Sequence, residues 1–352
     1  MPFSWIYARI ADFRNTLFER GAFESFALGA PAVSIGNITV GGTGKTPLVA
    51  FAARVFAEEG AKVCILTRGY GRDNPRERVT VSDGERILAD ARQAGDEPLE
   101  LAKKLLGSKT IVVADADRVA AAKWAIEKFG ANAFVLDDAF QHRRARRDLD
   151  VVLLDATNPF GNRKTLPFGI LREPLENLKR ADLFILTRAD LVDETQITSY
   201  KLQITKFNPA APIITAANKT TNLIELEDFL SNIQPTADRR PPTADHCLAF
   251  CALGNPENFF EQLRRENFDL AATHKFPDHH RYTQDDVAGL EKTARRNGAQ
   301  ILLTTAKDAV KLSGLKFEMP CFVVESALVF DDEKKLRRIV GAVLTKNPKS
   351  KI

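Results

Sequence analysis

Residues 34–47 read Ser-Ile-Gly-Asn-Ile-Thr-Val-Gly-Gly-Thr-Gly-Lys-Thr-Pro, an apolar run that dissolves into glycines and restarts as a helix headed by Lys-Thr-Pro. Gly41, Gly42 and Gly44 allow the backbone to turn its N–H groups inward, and a helix starting directly after such a turn favours an anion. Lys45 is then placed to reach the terminal phosphates of a nucleotide, and Thr46 to ligate Mg²⁺. This is a phosphate-binding loop. The strict spacing G-x-x-x-x-G-K-[ST] would put a glycine at position 39, where the chain has Thr39. Nucleotide contacts are expected from Thr39, Gly41, Gly42, Thr43, Gly44, Lys45 and Thr46.

A loop of this kind needs a partner strand that delivers carboxylate to the metal. Phe134-Val135-Leu136-Asp137-Asp138 supplies one, and Asp137 and Asp138 join Thr46 as the expected Mg²⁺ ligands. Around this pair, apolar runs at 32–35, 62–66, 110–114, 134–136, 151–154 and 183–186 read as buried strands. Helical periods at 47–59, 98–106 and 117–128 separate several of them. The alternation predicts an α/β fold with a parallel sheet of the P-loop NTPase type.

The stretch 234–245, QPTADRRPPTAD, has linker composition. Beyond it, strands at 248–253, 301–304 and 321–324 and helices at 256–267, 284–297 and 332–344 predict a second, smaller α/β domain. The expected division is an N-terminal helix over 1–22, the P-loop domain over 23–233, the linker over 234–245 and the smaller domain over 246–345. Phe3, Ile6, Tyr7, Ile10, Phe13 and Leu17 recur at helical spacing, so the first segment is an amphipathic helix. Docking on its own domain and lying in a membrane interface both fit that pattern.

A chain of 352 residues with 44% hydrophobic and 27% charged side chains excludes disordered, collagen-like and coiled-coil classes. Net charge is only +4, which gives no reason to expect a nucleic-acid partner. Cys64, Cys247, Cys251 and Cys321 lack metal-ligand spacing, and the chain opens without a signal-peptide pattern, so a reducing, cytosol-facing location is expected. The uncharged stretch 25–44 has the length of a membrane span, but its glycines and Pro31 exclude a spanning helix.

Eight blocks in order carry a resemblance: GNITVGGTGKTP, RGYGR (68–72), GDEP (95–98), DDAFQH (137–142), RDLDVVLLD (147–155), LPFGILREP (166–174), FPDHHRYT (276–283) and TTAKDAVKL (304–312). Together they resemble the tetraacyldisaccharide 4′-kinase family, and they span both expected domains. Ala139, Ala306 and the CALGNP run at 251–256 depart from the family pattern. The resemblance implies a P-loop kinase that moves the γ-phosphate of ATP to the 4′-hydroxyl of the lipid A precursor disaccharide 1-phosphate. It also implies a peripheral, monomeric protein at the cytoplasmic face of the bacterial inner membrane, held there by its N-terminal helix.

A kinase acting on a hydroxyl needs a carboxylate to take the proton. The family's catalytic aspartate falls on Asp96, although Asp before Glu-Pro is also good helix-capping chemistry. His279, the first histidine of Pro277-Asp278-His279-His280, matches the family's active-site histidine and is expected to orient Asp96; zinc ligation is the competing use of a histidine pair. Arg68, Tyr70, Arg118, Gln141 and His142 match positions around the acceptor, and Arg172 is expected to stabilise transferred charge, with Lys45. The basic run at 142–147 is expected to face anionic lipid or the substrate phosphate rather than nucleic acid. Two other readings compete: a P-loop GTPase or metallochaperone, from Thr187-Arg188-Ala189-Asp190 and from His246, Cys247 and Cys251, and a non-catalytic ATP-sensing membrane adaptor.

Overall fold

The computed structural model describes residues 2–233 and 246–345, so the expected linker lies outside the described residues. The chain opens with α1 (Pro2–Glu19), then β1 (Ala32–Asn37), α2 (Lys45–Glu58), β2 (Val63–Thr67), β3 (Val79–Ser82), α3 (Ala91–Ala94), α4 (Asp96–Lys104) and β4 (Ile111–Ala114). It continues through α5 (Arg118–Phe129), β5 (Ala133–Asp137), β6 (Leu149–Asp155), β7 (Leu183–Thr187), α6 (Glu194–Phe207), β8 (Ile213–Glu225) and α7 (Leu226–Leu230). The remainder is β9 (Cys247–Cys251), α8 (Pro256–Arg265), β10 (Leu270–Lys275), α9 (Gln284–Arg296), β11 (Ile301–Thr305), α10 (Ala306–Ala309), β12 (Cys321–Phe330) and α11 (Glu333–Thr345).

Every strand read from an apolar run is present, and β1, β2, β4, β5, β7 and β9 are buried along their whole length. Burial on both faces is what a helix-covered parallel sheet requires. The strands form one sheet in the order β10-β9-β11-β12-β8-β7-β6-β1-β5-β2-β4-β3. Among the described strands, only β3 with β4 and β8 with β12 pair antiparallel. Register aligns Ile35 with Asp137 and Leu66 with Leu136. Asn37, Asp137 and Thr67 therefore end along one edge of the sheet, the carboxyl edge at which ligands bind in such folds.

The two sets of strands meet at β8, which pairs with β7 through residues 213–215 and with β12 from 216 to 225. Its sequence, IITAANKTTNLIE, is only partly buried, so no apolar run betrays it. The exposed edge strand β10 escapes the same test. Past residue 246, strands β9 to β12 extend the common sheet, and α11 returns to lie on α2. Arg337 Nη1 is 2.7 Å from Glu58, the Phe51 and Phe330 rings are 5.0 Å apart, and Phe56, Leu336 and Val340 share one core.

Helix α1 is amphipathic, but it docks by its polar side. Ser4 and Asn15 are buried; Ser4 Oγ donates to the Thr165 carbonyl at 2.7 Å, and Asn15 Nδ2 donates to Glu173 Oε2 at 2.9 Å and to Asn177 Oδ1 at 3.0 Å. Phe3, Trp5, Ile10 and Phe13 stay 61%, 61%, 63% and 65% exposed. Leaving such side chains in water forgoes about 1.5–3 kcal/mol each. Much of the apolar face is thus left exposed, and among the described residues no helix is long and apolar enough to cross a membrane.

Candidate active site

The loop after β1 is positioned from both sides. Val40 N–H donates to the Ile170 carbonyl at 2.7 Å, and Arg172 N–H to the Ile38 carbonyl at 2.8 Å. Left-handed turns fall at Gly41 (φ 104°) and Gly44 (φ 79°), directly before α2, where a side chain would strain the backbone. Thr39 bridges Leu171 instead. It is buried and does not line the cavity in front of the loop, and its short pairing with Leu171 stands where the motif's first glycine turn would be.

Asp138 is the electrostatic centre of this loop. Arg172 Nη1 donates to both of its carboxylate oxygens, at 2.8 and 2.9 Å, and Lys45 Nζ lies 3.4 Å away. Burial opposes its charge, but Lys45 and Arg172 outweigh that and hold its carboxyl below the usual range. Asp137, one residue earlier, behaves oppositely. Burial, with the charges of Glu97 and Asp138 added, pushes it up to about 7, although Lys45 and a 3.0 Å hydrogen bond from Thr67 Oγ1 work the other way. Asp137, Asp138 and Thr46 line the same cavity and offer the hard oxygen donors that a divalent cation of the Mg²⁺ kind takes.

Asp96 is the first residue of α4, and the capping position belongs to Gly95. A Cβ at Gly95 would come within 2.6 Å of the Tyr70 carbonyl, so glycine lets this turn press against the RGYGR loop. The Asp96 carboxylate is therefore not spent on capping. His279 Nδ1 lies 3.3 Å from Asp96 Oδ2, and the rings of Tyr70 and His279 are 5.3 Å apart. His279 holds a left-handed backbone (φ 60°), as does Asp138 (φ 50°), a conformation that tends to collect at functional sites. The neighbouring His280 is used elsewhere: its Nε2 is 3.0 Å from Asp286 Oδ2 and its ring stacks on Phe276. Among the described residues no cluster of His, Cys, Asp and Glu could hold a metal ion by itself.

One cavity of about 840 Å³ brings the rest together. Apart from Thr39 and Asp96, every expected site residue lines it; Asp96 adjoins it through its contact with His279. Arg68 and Tyr70 are exposed at its border, while Arg118 and His142 are more enclosed. His142 is lowered to about 4 by burial, with Arg118 and Arg147 adding to it, and its Nε2 is buried without a partner. Gln141 also spans inward, donating to the Asn37 carbonyl at 2.9 Å and to Glu173 Oε1 at 2.8 Å.

The basic run at 142–147 is divided: His142 lines the cavity, Arg144 and Arg146 are exposed, and Arg143 and Arg147 are taken up inside the fold. Arg147 donates to both Asp150 oxygens and to the Phe140 carbonyl. Arg143 donates to the Asn15 carbonyl, and Arg144 pairs with Asp117 at 2.9 Å. Arg146 stays exposed. The GTPase and metallochaperone echoes also resolve structurally: Arg188 donates to the Gly42 carbonyl, and Cys247 and Cys251 are buried in an apolar cluster with Phe260 and Leu303.

The family model for tetraacyldisaccharide-1-phosphate 4′-kinase matches residues 1–345. Tetraacyldisaccharide 4′-kinases of Desulfotalea psychrophila and Geobacter metallireducens are each 37% identical to the chain, over 321 and 344 residues, covering 91% and 96% of it and 89% and 95% of the relatives. The crystal structure of the "apo" form of LpxK from Aquifex aeolicus, in complex with ATP, matches with a TM-score of 0.74 at 30% identity, over 97% of this chain and 98% of that one. The chain belongs to this kinase family.

Within the kinase, three polar groups escaped sequence reasoning. Glu173 is buried and joins α1 to the site, accepting from Asn15, Gln141 and Arg180. Lys307 Nζ sits 3.4 Å from both Glu97 and Asp278; burial disfavours its charge, but the two carboxylates outweigh that and raise its pKa. Lys311 approaches Asp96 itself, at 3.8 Å. Both lysines stand in the TTAKDAVKL block, and their spacing of four was the available signal.

Proposed function

We propose that the protein transfers the γ-phosphate of ATP to the 4′-hydroxyl of tetraacyldisaccharide 1-phosphate, working as a peripheral protein on the cytoplasmic face of the inner membrane. The observation that carries this reading is the single cavity in which a P-loop, two strand-end carboxylates and His279 face one another. On this reading Gly41 to Thr46 cradle the phosphates, Lys45 neutralises the terminal ones, and Arg172, held by Asp138, meets the charge that moves. Thr46, Asp137 and Asp138 would hold Mg²⁺, which when bound neutralises and orients the phosphate oxygens.

Asp96 takes the proton of the 4′-hydroxyl as the oxygen–phosphorus bond forms and the bond to ADP breaks, while His279 keeps the carboxylate in place. Asp96 and His279 come from opposite halves of the chain, so closure of the halves on each other would bring the base up to the acceptor. Arg68, Tyr70, Arg118, Gln141 and His142 surround the acceptor, and a guanidinium suits its 1-phosphate through paired hydrogen bonds. The exposed apolar side chains of α1, Phe3, Trp5 and Phe13 among them, support interfacial binding.

The test is direct. Purified protein with Mg-ATP and the disaccharide 1-phosphate should yield the bisphosphorylated lipid by mass spectrometry, with ADP in equal amount. ATP binding without lipid phosphorylation would leave only the adaptor reading.

A further inference from the structure

Asp96 meets the second half of the molecule at two nitrogen groups. Besides His279 Nδ1 at 3.3 Å, Lys311 Nζ stands 3.8 Å from the same oxygen, Oδ2. The lysine is almost fully buried, at 6% side-chain exposure. Its ammonium has three neighbours: Asp308 Oδ1 at 2.8 Å, an ion pair without hydrogen-bond alignment, the face of Tyr282 at 5.3 Å, and Asp96.

Asp308 is itself completely buried and built into the turn from β11 to α10. Its Oδ2 accepts from the Ala252 N–H at 3.0 Å and from Thr305 Oγ1 at 2.7 Å, while Thr305 Oγ1 accepts the Asp308 N–H at 3.1 Å. A carboxylate held this way cannot follow a wandering ammonium, so it sets where the ammonium sits. A buried lysine with one fixed anion behind it and a second in front is a rigid prop for the second.

We propose that Lys311, anchored by Asp308, is a positioning residue for the phosphoryl transfer: together with His279 it fixes Oδ2 of Asp96 and so sets the direction of Oδ1 toward the acceptor hydroxyl. The proton still passes from the 4′-hydroxyl to Asp96, the new bond is from the 4′-oxygen to phosphorus, and the bond broken is to ADP. Lys311 transfers nothing. This rests on the reading of Asp96 as the base.

Lys311 also neutralises a buried Asp308, so a loss on mutation alone would not separate positioning from folding. The separating set is Lys311→Met, Lys311→Arg, Asp308→Asn/Lys311→Met and Asp96→Asn, each followed by kcat, KM for ATP, KM for the disaccharide and thermal melting. We expect Lys311→Met to lower kcat by about a hundredfold, the scale of a reacting group misplaced by an ångström, with both KM values within about threefold of the parent. Lys311→Arg should recover most of that loss. Asp308→Asn/Lys311→Met removes both buried charges and should regain the parental melting temperature while staying as slow as Lys311→Met. Parental kcat in that double variant, or in folded Lys311→Met, overturns the proposal. If Asp96→Asn keeps the parental kcat, it is the reading of Asp96 as base that has failed.

Discussion

The two walls of the cavity are built in different ways. On the phosphate wall, Lys45 and Thr46 follow β1, Asp137 and Asp138 end β5, and these two strands are neighbours in register. On the opposite wall, Asp96 is joined to His279 from 183 positions further along the chain, and to Lys311 beyond that. The first wall is a local consequence of strand, turn and helix. The second exists only while the strands beyond β8 stand where they do. Binding phosphate and aligning the nucleophile are therefore separable, and damage to each should look different.

The largest expected effect lies on the phosphate wall. Lys45→Ala and Asp138→Ala should each lower kcat by about a thousandfold or more, the scale of a preorganised charge on a transferring phosphoryl group. Both should stay folded, because neither side chain is part of the apolar core. Near-parental turnover at saturating Mg-ATP in either variant would erase the difference between the walls.

A smaller effect sharpens the comparison at the lipid side. Helix α1 hangs on Glu173, next to Arg172, so it belongs with the phosphate wall while its exposed face serves the acceptor's membrane. Replacing Phe3, Trp5 and Phe13 together by Ser should weaken partition onto anionic liposomes by about tenfold or more. ATP affinity should not change. An unchanged liposome-bound fraction would return α1 to a purely structural part.

The smallest effect concerns the adjacent carboxylates. Unfolded, Asp137 ionises near its ordinary 3.8, whereas folded it holds its proton up to about 7. The folded state then binds more protons across that window, so stability falls as pH rises from about 4 to about 7 and the penalty is constant above it. Asp137→Asn removes the penalty. In EDTA, calorimetry should find this variant melting a few degrees above the parent at pH 8 and level with it at pH 4. A parental advantage at pH 8 would contradict the crowding of charge at Asp137.

Much of this was legible in the sequence, and the reason is contiguity. The P-loop and the Asp137-Asp138 strand are each a single run whose spacing states its chemistry, and the buried strands announce themselves by apolar composition. Amphipathicity showed that α1 has two faces, but not which face is wet; Ser4 and Asn15, two short polar side chains, decide that by finding partners at 165, 173 and 177. The arginines at 143 and 147 looked like part of a surface patch because their main partners are backbone carbonyls, which sequence composition does not announce. Strand β8 was hidden by its half-exposed Asn, Lys and Thr residues. Asp96, His279 and Lys311 come together only through the fold, so the sequence named the first two by family resemblance and left the third without a role.

The central claim, a base assembled across the two halves, is tested most directly by a double-mutant cycle on Asp96 and His279 in single-turnover phosphoryl transfer. Asp96→Ala should be severely slow with little change in ATP affinity, His279→Ala less so, and the double variant about as slow as Asp96→Ala alone. Strictly multiplicative losses would make the two residues independent and contradict the account. So would a larger loss in Glu97→Gln than in Asp96→Ala, which would move the base to the carboxylate that lines the cavity.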